Sequence, residues 1–345
     1  MGGSKNVYAS VKAYSKRGKL LTKSDFQTLA ESRDMEELVT RIKNTIYANA
    51  VADIQKPYTS QKIESALRNQ LADVHYSISK TSGRSGVLEA YYMKFIISNL
   101  KLILKGKVLG KPQEDIESHV NLHAEELIKQ RDIVVKALVA KDLEEAVASF
   151  NSVKFGEEIS KAAALYNEKK NLQIFDTYFD KILYQYLAGS MKNYSDKEST
   201  KLVAMDIDFY NILSIIRGKF WELQEDQIED LIINTGPTSK ELFGRMMAAS
   251  TLRDAFNELS NTKYKNLIPQ AENDLDAIAE FERGFEMMIY DASRKSFTKM
   301  FSFANIVGIT KLTSFEVRNL AAIAFAIEQK IPTETTMSKL ILEEE

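Results

Sequence analysis

The chain is 345 residues long, 44% apolar and 27% charged, with 46 basic against 48 acidic side chains. A net charge of −2 leaves no basic excess for nucleic acid, and the absence of cysteine excludes disulfides and thiolate metal sites and suits a reducing cytosol. The start, Met1-Gly2-Gly3-Ser4-Lys5-Asn6, has no apolar signal region, Asn6 stands where a myristoylation motif needs Ser or Thr, and no run of about 18 apolar residues suits a membrane span. Five prolines and 14 glycines are too few for a turn-rich β fold.

Helical spacing runs along the chain instead. In Asp34–Tyr47 the apolar side chains Met35, Leu38, Val39, Ile42, Ile46 and Tyr47 predict one buried face. The polar stretch Ser79–Gly86 reads as a loop. Phe95, Ile96, Leu100, Ile103 and Leu104 then predict a helix that stops at Gly106-Lys107, ahead of Gly110 and Pro112. Leu143, Ala146, Val147 and Phe150 mark another helix. The stop recurs at Gly218-Lys219, and Gly236-Pro237-Thr238-Ser239 starts the next helix with a cap. Leu252, Ala255, Phe256 and Leu259 repeat the helical spacing. Ala326-Ile327 replace Gly-Lys before Pro332, and Glu343-Glu344-Glu345 is a frayed acidic end.

Three series repeat at about a third of the length. Asn44-Thr45-Ile46-Tyr47 returns as Asn261-Thr262-Lys263-Tyr264, with a weaker middle copy, Ser152-Val153-Lys154-Phe155. Asn sits on an apolar helix at 99, 211 and 319, spaced by 112 and 108. Leu67/Leu71/Tyr76, Phe175/Phe179/Tyr184 and Phe281/Phe285/Tyr290 form the third series. A unit of roughly 110 residues is far longer than a solenoid repeat and large enough for a small helical core. The expectation is an all-α chain of three similar tandem helical domains, residues 1–110, 111–222 and 223–345.

Asn99, Asn211 and Asn319 each have apolar neighbours three or four positions away and so point with the buried face. A buried amide needs partners; loose backbone of a neighbouring element is the plain reading, a ligand site the sharper one. His119 and His123, four apart with Glu126 beyond, would stack on a helix and resemble half a metal site, but without the flanking Glu of a zincin. Neither Gly83-x-x-Gly86 nor Gly236–Ser239 has the Gly-Lys-Thr/Ser of a phosphate loop, and no Gly-x-Ser-x-Gly elbow exists. Lys105, Lys107, Arg217 and Lys219 lie at helix C-termini, where cations complement the helix dipole; contact with an acidic partner is their functional reading. Met246, Met247, Met287 and Met288 are assigned to the core. No catalytic residue, cofactor or metal is expected.

The opening Tyr8-Ala9-Ser10-Val11-Lys12-Ala13, the Leu20-Leu21 pair before the first helix to Tyr47, and the signature Asn, Leu or Ile, x-x-Ile-x-x-x-Lys at Asn99–Lys107 and Asn211–Lys219 carry a resemblance. With Glu316-Val317-Arg318-Asn319-Leu320-x-x-Ile323, the chain resembles the C subunit of the archaeal and bacterial A/V-type ATP synthases, a relative of the d subunit of the eukaryotic vacuolar ATPase. Tyr14 departs from an Arg in that family's opening, and Ile96 stands where the other copies carry Asp208 and Glu316. The resemblance implies a funnel of three helical domains around a pseudo-threefold axis. It implies a peripheral protein on the cytoplasmic face of the membrane, without an active site, that seats the central rotor shaft on the proteolipid ring and passes torque for proton or sodium transport. A helical scaffold unrelated to rotary ATPases is the second reading, and an enzyme would need a pocket for which only His119 and His123 offer chemistry.

Overall fold

The computed structural model describes residues 3–82, 85–153, 155–191, 196–234 and 238–343, with side chains from residue 7 onward. Met1-Gly2, Gly83 and Arg84 of the polar stretch, Lys154 of the middle motif, Gly236-Pro237 and Glu344-Glu345 lie outside the described residues. Among the described residues there is no strand, and the protein is all-α. The first helices are α1 (Gly3–Arg17), α2 (Lys23–Ala30), α3 (Met35–Ile42), α4 (Ala48–Val51), α5 (Ser60–Ser82) and α6 (Gly86–Val108). There follow α7 (Gln113–Glu117), α8 (His123–Leu127), α9 (Arg131–Val139), α10 (Leu143–Ala148), α11 (Gly156–Lys169), α12 (Gln173–Met191) and α13 (Lys197–Phe220). The chain closes with α14 (Glu225–Glu229), α15 (Lys240–Ala248), α16 (Leu252–Asn257), α17 (Asp274–Lys295), α18 (Phe303–Glu328) and α19 (Thr333–Lys339).

The helix ends show why these residues form these elements. Asp34, Asp142 and Thr251 cap α3, α10 and α16, each accepting the backbone N–H three residues on at 2.8, 2.9 and 3.0 Å. The three Asn-bearing helices, α6, α13 and α18, start on Ser85, Asp196 and Ser302. They stop on one device: Gly110, Glu222 and Lys330 take φ of +61°, +56° and +56°. The next N–H, from Lys111, Leu223 and Ile331, reaches back to the carbonyl of Gly106, Gly218 and Ala326 at 3.0, 2.9 and 2.8 Å, a Schellman cap in each copy. The Gly-Lys signature has a packing cause. A Cβ on Gly106 would stand 2.7 Å from Ile116 Cδ1, and one on Gly218 would stand 2.7 Å from Ile228 Cγ1. In the third copy Ala326 replaces the glycine, and the register position of the two isoleucines is the smaller Thr336.

The three Asn helices pair with the three long Tyr-bearing helices, α6 with α12, α13 with α17 and α18 with α5. The last pair joins the two ends of the chain. One core cluster accordingly mixes Phe26, Leu38, Ile42, Ile63 and Leu67 with Leu320, Ile323, Leu340 and Leu342. A second runs from Met205 to Ile289 along α13–α17. The largest gathers most of α6, the N-terminal halves of α13 and α18, buried residues of α9–α12 and the buried Ala9 and Ala13 of α1. Where α6, α13 and α18 meet, Tyr91 Oη donates to Asp206 Oδ2 at 2.5 Å, and buried Lys311 donates to the same oxygen. Burial pushes Lys311 below the usual lysine range while Asp206 opposes the fall, and burial beside Asp206 holds Tyr91 well above the usual phenol.

Four expectations are corrected. Ser79–Ser82 is the last turn of α5, not loop, because Thr81 and Ser82 donate their hydroxyls back to the carbonyls of Ser77, Ile78 and Ser79. His119 and His123 do not share a helix: α7 ends at Glu117 and α8 begins at His123. Ile46 leaves the buried face, since α3 stops at Ile42 and Ile46 is 40% exposed in the following turn. Met246 and Met247 are core, but Met287 and Met288 are only half-buried and line an open groove.

Candidate partner-binding cleft

The repeated Asn is a clamp. Asn99 Nδ2 donates to Asn121 O at 2.6 Å and its Oδ1 accepts Asn121 N–H at 3.1 Å. Asn211 holds Ile233 by the same two bonds at 3.0 and 2.7 Å, and Asn319 holds Ile341 at 2.8 and 3.1 Å. Each partner lies 22 residues downstream, so one amide satisfies both polar groups of an otherwise unpaired segment. Three residues before the Asn, the acid meets the Tyr of the first motif. Glu316 Oε1 accepts Tyr47 Oη at 2.7 Å and its Oε2 accepts Leu21 N–H at 2.7 Å, while Asp208 Oδ2 accepts Tyr264 Oη. In the remaining copy Ile96 and Phe155 line one cavity of about 240 Å³, an apolar pair in place of carboxylate and phenol. The amides and acids are thus engaged in structure.

Function is better sought between α6, α12 and α13, where a cleft of about 750 Å³ opens. Five cations line it, Arg68, Lys94, Lys101, Lys105 and Arg217, against two carboxylates, Asp176 and Asp180. Lys101 pairs with Asp180 at 2.6 Å and Lys105 with both oxygens of Asp176 at 2.9 Å. Arg217 reaches Glu282 at 2.7 Å. Lys94 is exposed, with its ammonium 5.4 Å from the Tyr91 ring centre and 5.7 Å from that of Tyr184, which stacks on Tyr210 at 4.4 Å. Trp221, the sole tryptophan, stands at the lip with 51% of its surface exposed. A positive concave wall with an exposed indole suits an acidic protein surface.

Of the four basic residues singled out by sequence, the cleft gathers Lys105 and Arg217. The other two turn away. Lys107 Nζ donates to Leu138 O at 2.5 Å and to Ala140 O, and Lys219 Nζ donates to Ala249 O at 2.5 Å, so each closes the C-terminus of the neighbouring short helix, α9 or α15. Burial lowers both lysines below their ordinary pKa. Lys94, Lys101 and Trp221 were not singled out. The stripe Lys94, Lys101, Lys105, spaced by seven and four on one helix face, is the signal that would have found two of them. His119 Nδ1 lies 2.8 Å from Asp115 O, and His123 Nε2 pairs with Asp73 at 2.9 Å. Among the described residues no group of three His, Asp or Glu side chains is placed to hold a metal ion.

The arrangement defines a class first: an all-α protein with a thrice-repeated Asn clamp and a cleft lined by charged side chains. Residues 9–339 match the family model of the ATP synthase (C/AC39) subunit, and the chain belongs to that family. It is 24% identical to the A-type ATP synthase C subunit of Methanocaldococcus jannaschii, across 97% of this chain and 86% of that one. The corresponding C subunits of Pyrococcus horikoshii and Pyrococcus abyssi are each 26% identical, across 95% of this chain and 88% of theirs. The protein is a rotary ATPase subunit, and the unrelated-scaffold alternative falls.

Proposed function

We propose that this chain is the non-catalytic central-stalk component that seats the rotor shaft on the membrane proteolipid ring and transmits torque for proton or sodium transport. Its three tandem units, residues 1–110, 111–222 and 223–345, close into a funnel on the cytoplasmic face. Each Asn helix supports the Tyr or Phe motif of the next unit, Ile96 beside Phe155, Asp208 with Tyr264 and Glu316 with Tyr47, a cycle that favours threefold closure. No helix among the described residues is long and apolar enough to cross a membrane, in keeping with docking on the ring's exposed loops.

The observation that carries the reading is the cation-lined cleft with Trp221 at its lip. Lys94, Lys105 and Arg217 face carboxylates at the foot of the shaft, and Lys107 and Lys219 brace the neighbouring short helices from behind. Membranes depleted of this protein are the test. ATP hydrolysis by the released head persists while ion pumping stops, and adding the protein back restores pumping. Coupled pumping without it would refute the role. A Lys94→Glu, Arg217→Glu double variant, added back in its place, retains its fold but restores pumping poorly at physiological salt.

A further inference from the structure

The repeats provide a control inside one molecule. In the unit closed by α18 and α5, α1 packs between the start of α18 and the end of α5, while further along Gln70, Val74 and Thr313 line a cavity of about 310 Å³ beside Lys16 and Leu20. The small side chains Ala9, Ser10 and Ala13 of α1 are buried, Lys12 Nζ donates to Ser77 on α5, and the chain then turns to give Leu21 N–H to Glu316. The equivalent pair is α13 and α17. Met205 stands where α18 has Thr313, Gly284 and Met288 where α5 has Gln70 and Val74, and Asp291 where α5 has Ser77. No element of the described chain fills the groove between α13 and α17. It is an open trough of about 810 Å³ with Lys201 on one wall and Lys295 on the other.

Two further observations say what it is shaped for. The groove offers an acid, Asp291, at the place where the α1 groove receives Lys12. Its floor of Met205, Met287 and Met288 is the adaptable kind of apolar surface that accepts a helix from outside.

We infer that the α13–α17 groove is a second docking site that takes an amphipathic helix of another subunit, with a small-residue face inward and a basic residue toward Asp291. This goes beyond the coupling role and does not rest on it, because it needs only an assembled complex. The chain has no cysteine, so single cysteines report cleanly. Lys201→Cys and Lys295→Cys place one exposed thiol on each wall, and two positions keep the test alive if one variant fails to assemble. Maleimide labelling is compared between the isolated chain and the idle, ATP-free complex, with the denatured complex as the full-labelling reference. The expected result is at least tenfold slower labelling at both positions in the complex, relieved by Asp291→Lys. A bismaleimide anchored on the thiol of the Lys295→Cys variant should cross-link to a helical segment of a different polypeptide bearing Ala, Gly or Ser at intervals of three or four. Equal labelling in the free and assembled states overturns the inference. So does a cross-link to a second copy of this chain, or protection abolished by delipidation with no protein cross-linked. An uncoupled complex that still protects both thiols would sink the torque role and leave this site standing.

Discussion

Asn211 holds Ile233 by both amide groups inside a core where neither backbone group can reach water. Asn211→Leu keeps the volume and removes both partners, and the expected cost is about 1–3 kcal/mol. Thermal unfolding beside the exposed control Glu229→Gln checks it; equal midpoints would contradict the clamp. Glu316 allows a test with a sign. Burial raises its carboxyl to about 7, Tyr47 and Leu21 oppose the rise, and Asp25 adds to it. The folded state therefore keeps a proton that the unfolded chain, near 4.5, has already lost. Stability from this group is complete below that value and is lost as pH rises to about 7, by at most ~1.4 kcal/mol per unit. Glu316→Gln, which mimics the protonated acid, should flatten that fall in the unfolding midpoint. His75 acts the other way, since burial lowers it to about 4, but it is common to both proteins and cancels in the difference. At this scale the sequence was informative about which side chains are buried, because helical spacing marks the inward face of Asn99, Asn211 and Asn319. It could not name their partners, which lie 22 residues away across a turn. Nor could it separate Lys105 from Lys107. Two residues on a helix are about 200° apart, so one faces the cleft and the other the adjoining short helix.

The helix ends are repeated more faithfully than the sequence. Three Schellman caps stand at equivalent places, but only Gly110 suits its left-handed backbone; Glu222 and Lys330 hold φ of +56° with a full side chain. Glu222→Gly should raise stability by about 0.5–1 kcal/mol, the relieved steric cost outweighing the extra freedom of the unfolded chain. Urea midpoints of Glu222→Gly and Glu222→Ala would show it, with alanine giving no comparable gain. These stops were legible where Gly and Pro announce them, at 106–112 and before Pro332. The break between His119 and His123 was not, because Ser118–Leu122 contains neither residue and the interruption is imposed by Asn99 taking the backbone of Asn121. The continuation of α5 through Ser79–Ser82 was hidden for the converse reason: its polar residues satisfy themselves on the helix's own carbonyls.

Over the whole molecule, repetition and closure are separate properties. The threefold period is plain in the chain, and the all-α architecture follows from the helical spacing of its apolar residues. The pairing of α5 with α18 is a long-range choice that no local pattern encodes. It predicts that damage at one terminus unfolds the other. Removing residues 340–345 strips Leu340, Ile341 and Leu342, each buried, and frees the amide of Asn319. The expected loss is on the order of 5 kcal/mol from the three side chains, with amide-exchange protection falling in α2 and α3 rather than only near the cut. Unchanged protection across residues 23–42 would contradict the shared core. The same pairing sets a timetable during synthesis. Phe26, Leu38 and Ile63 leave the ribosome more than 250 residues ahead of Leu320 and Ile323, which complete their core. At about 5–20 residues per second the wait is tens of seconds. Through that interval the nascent chain carries the apolar faces of α2, α3 and α5 uncovered.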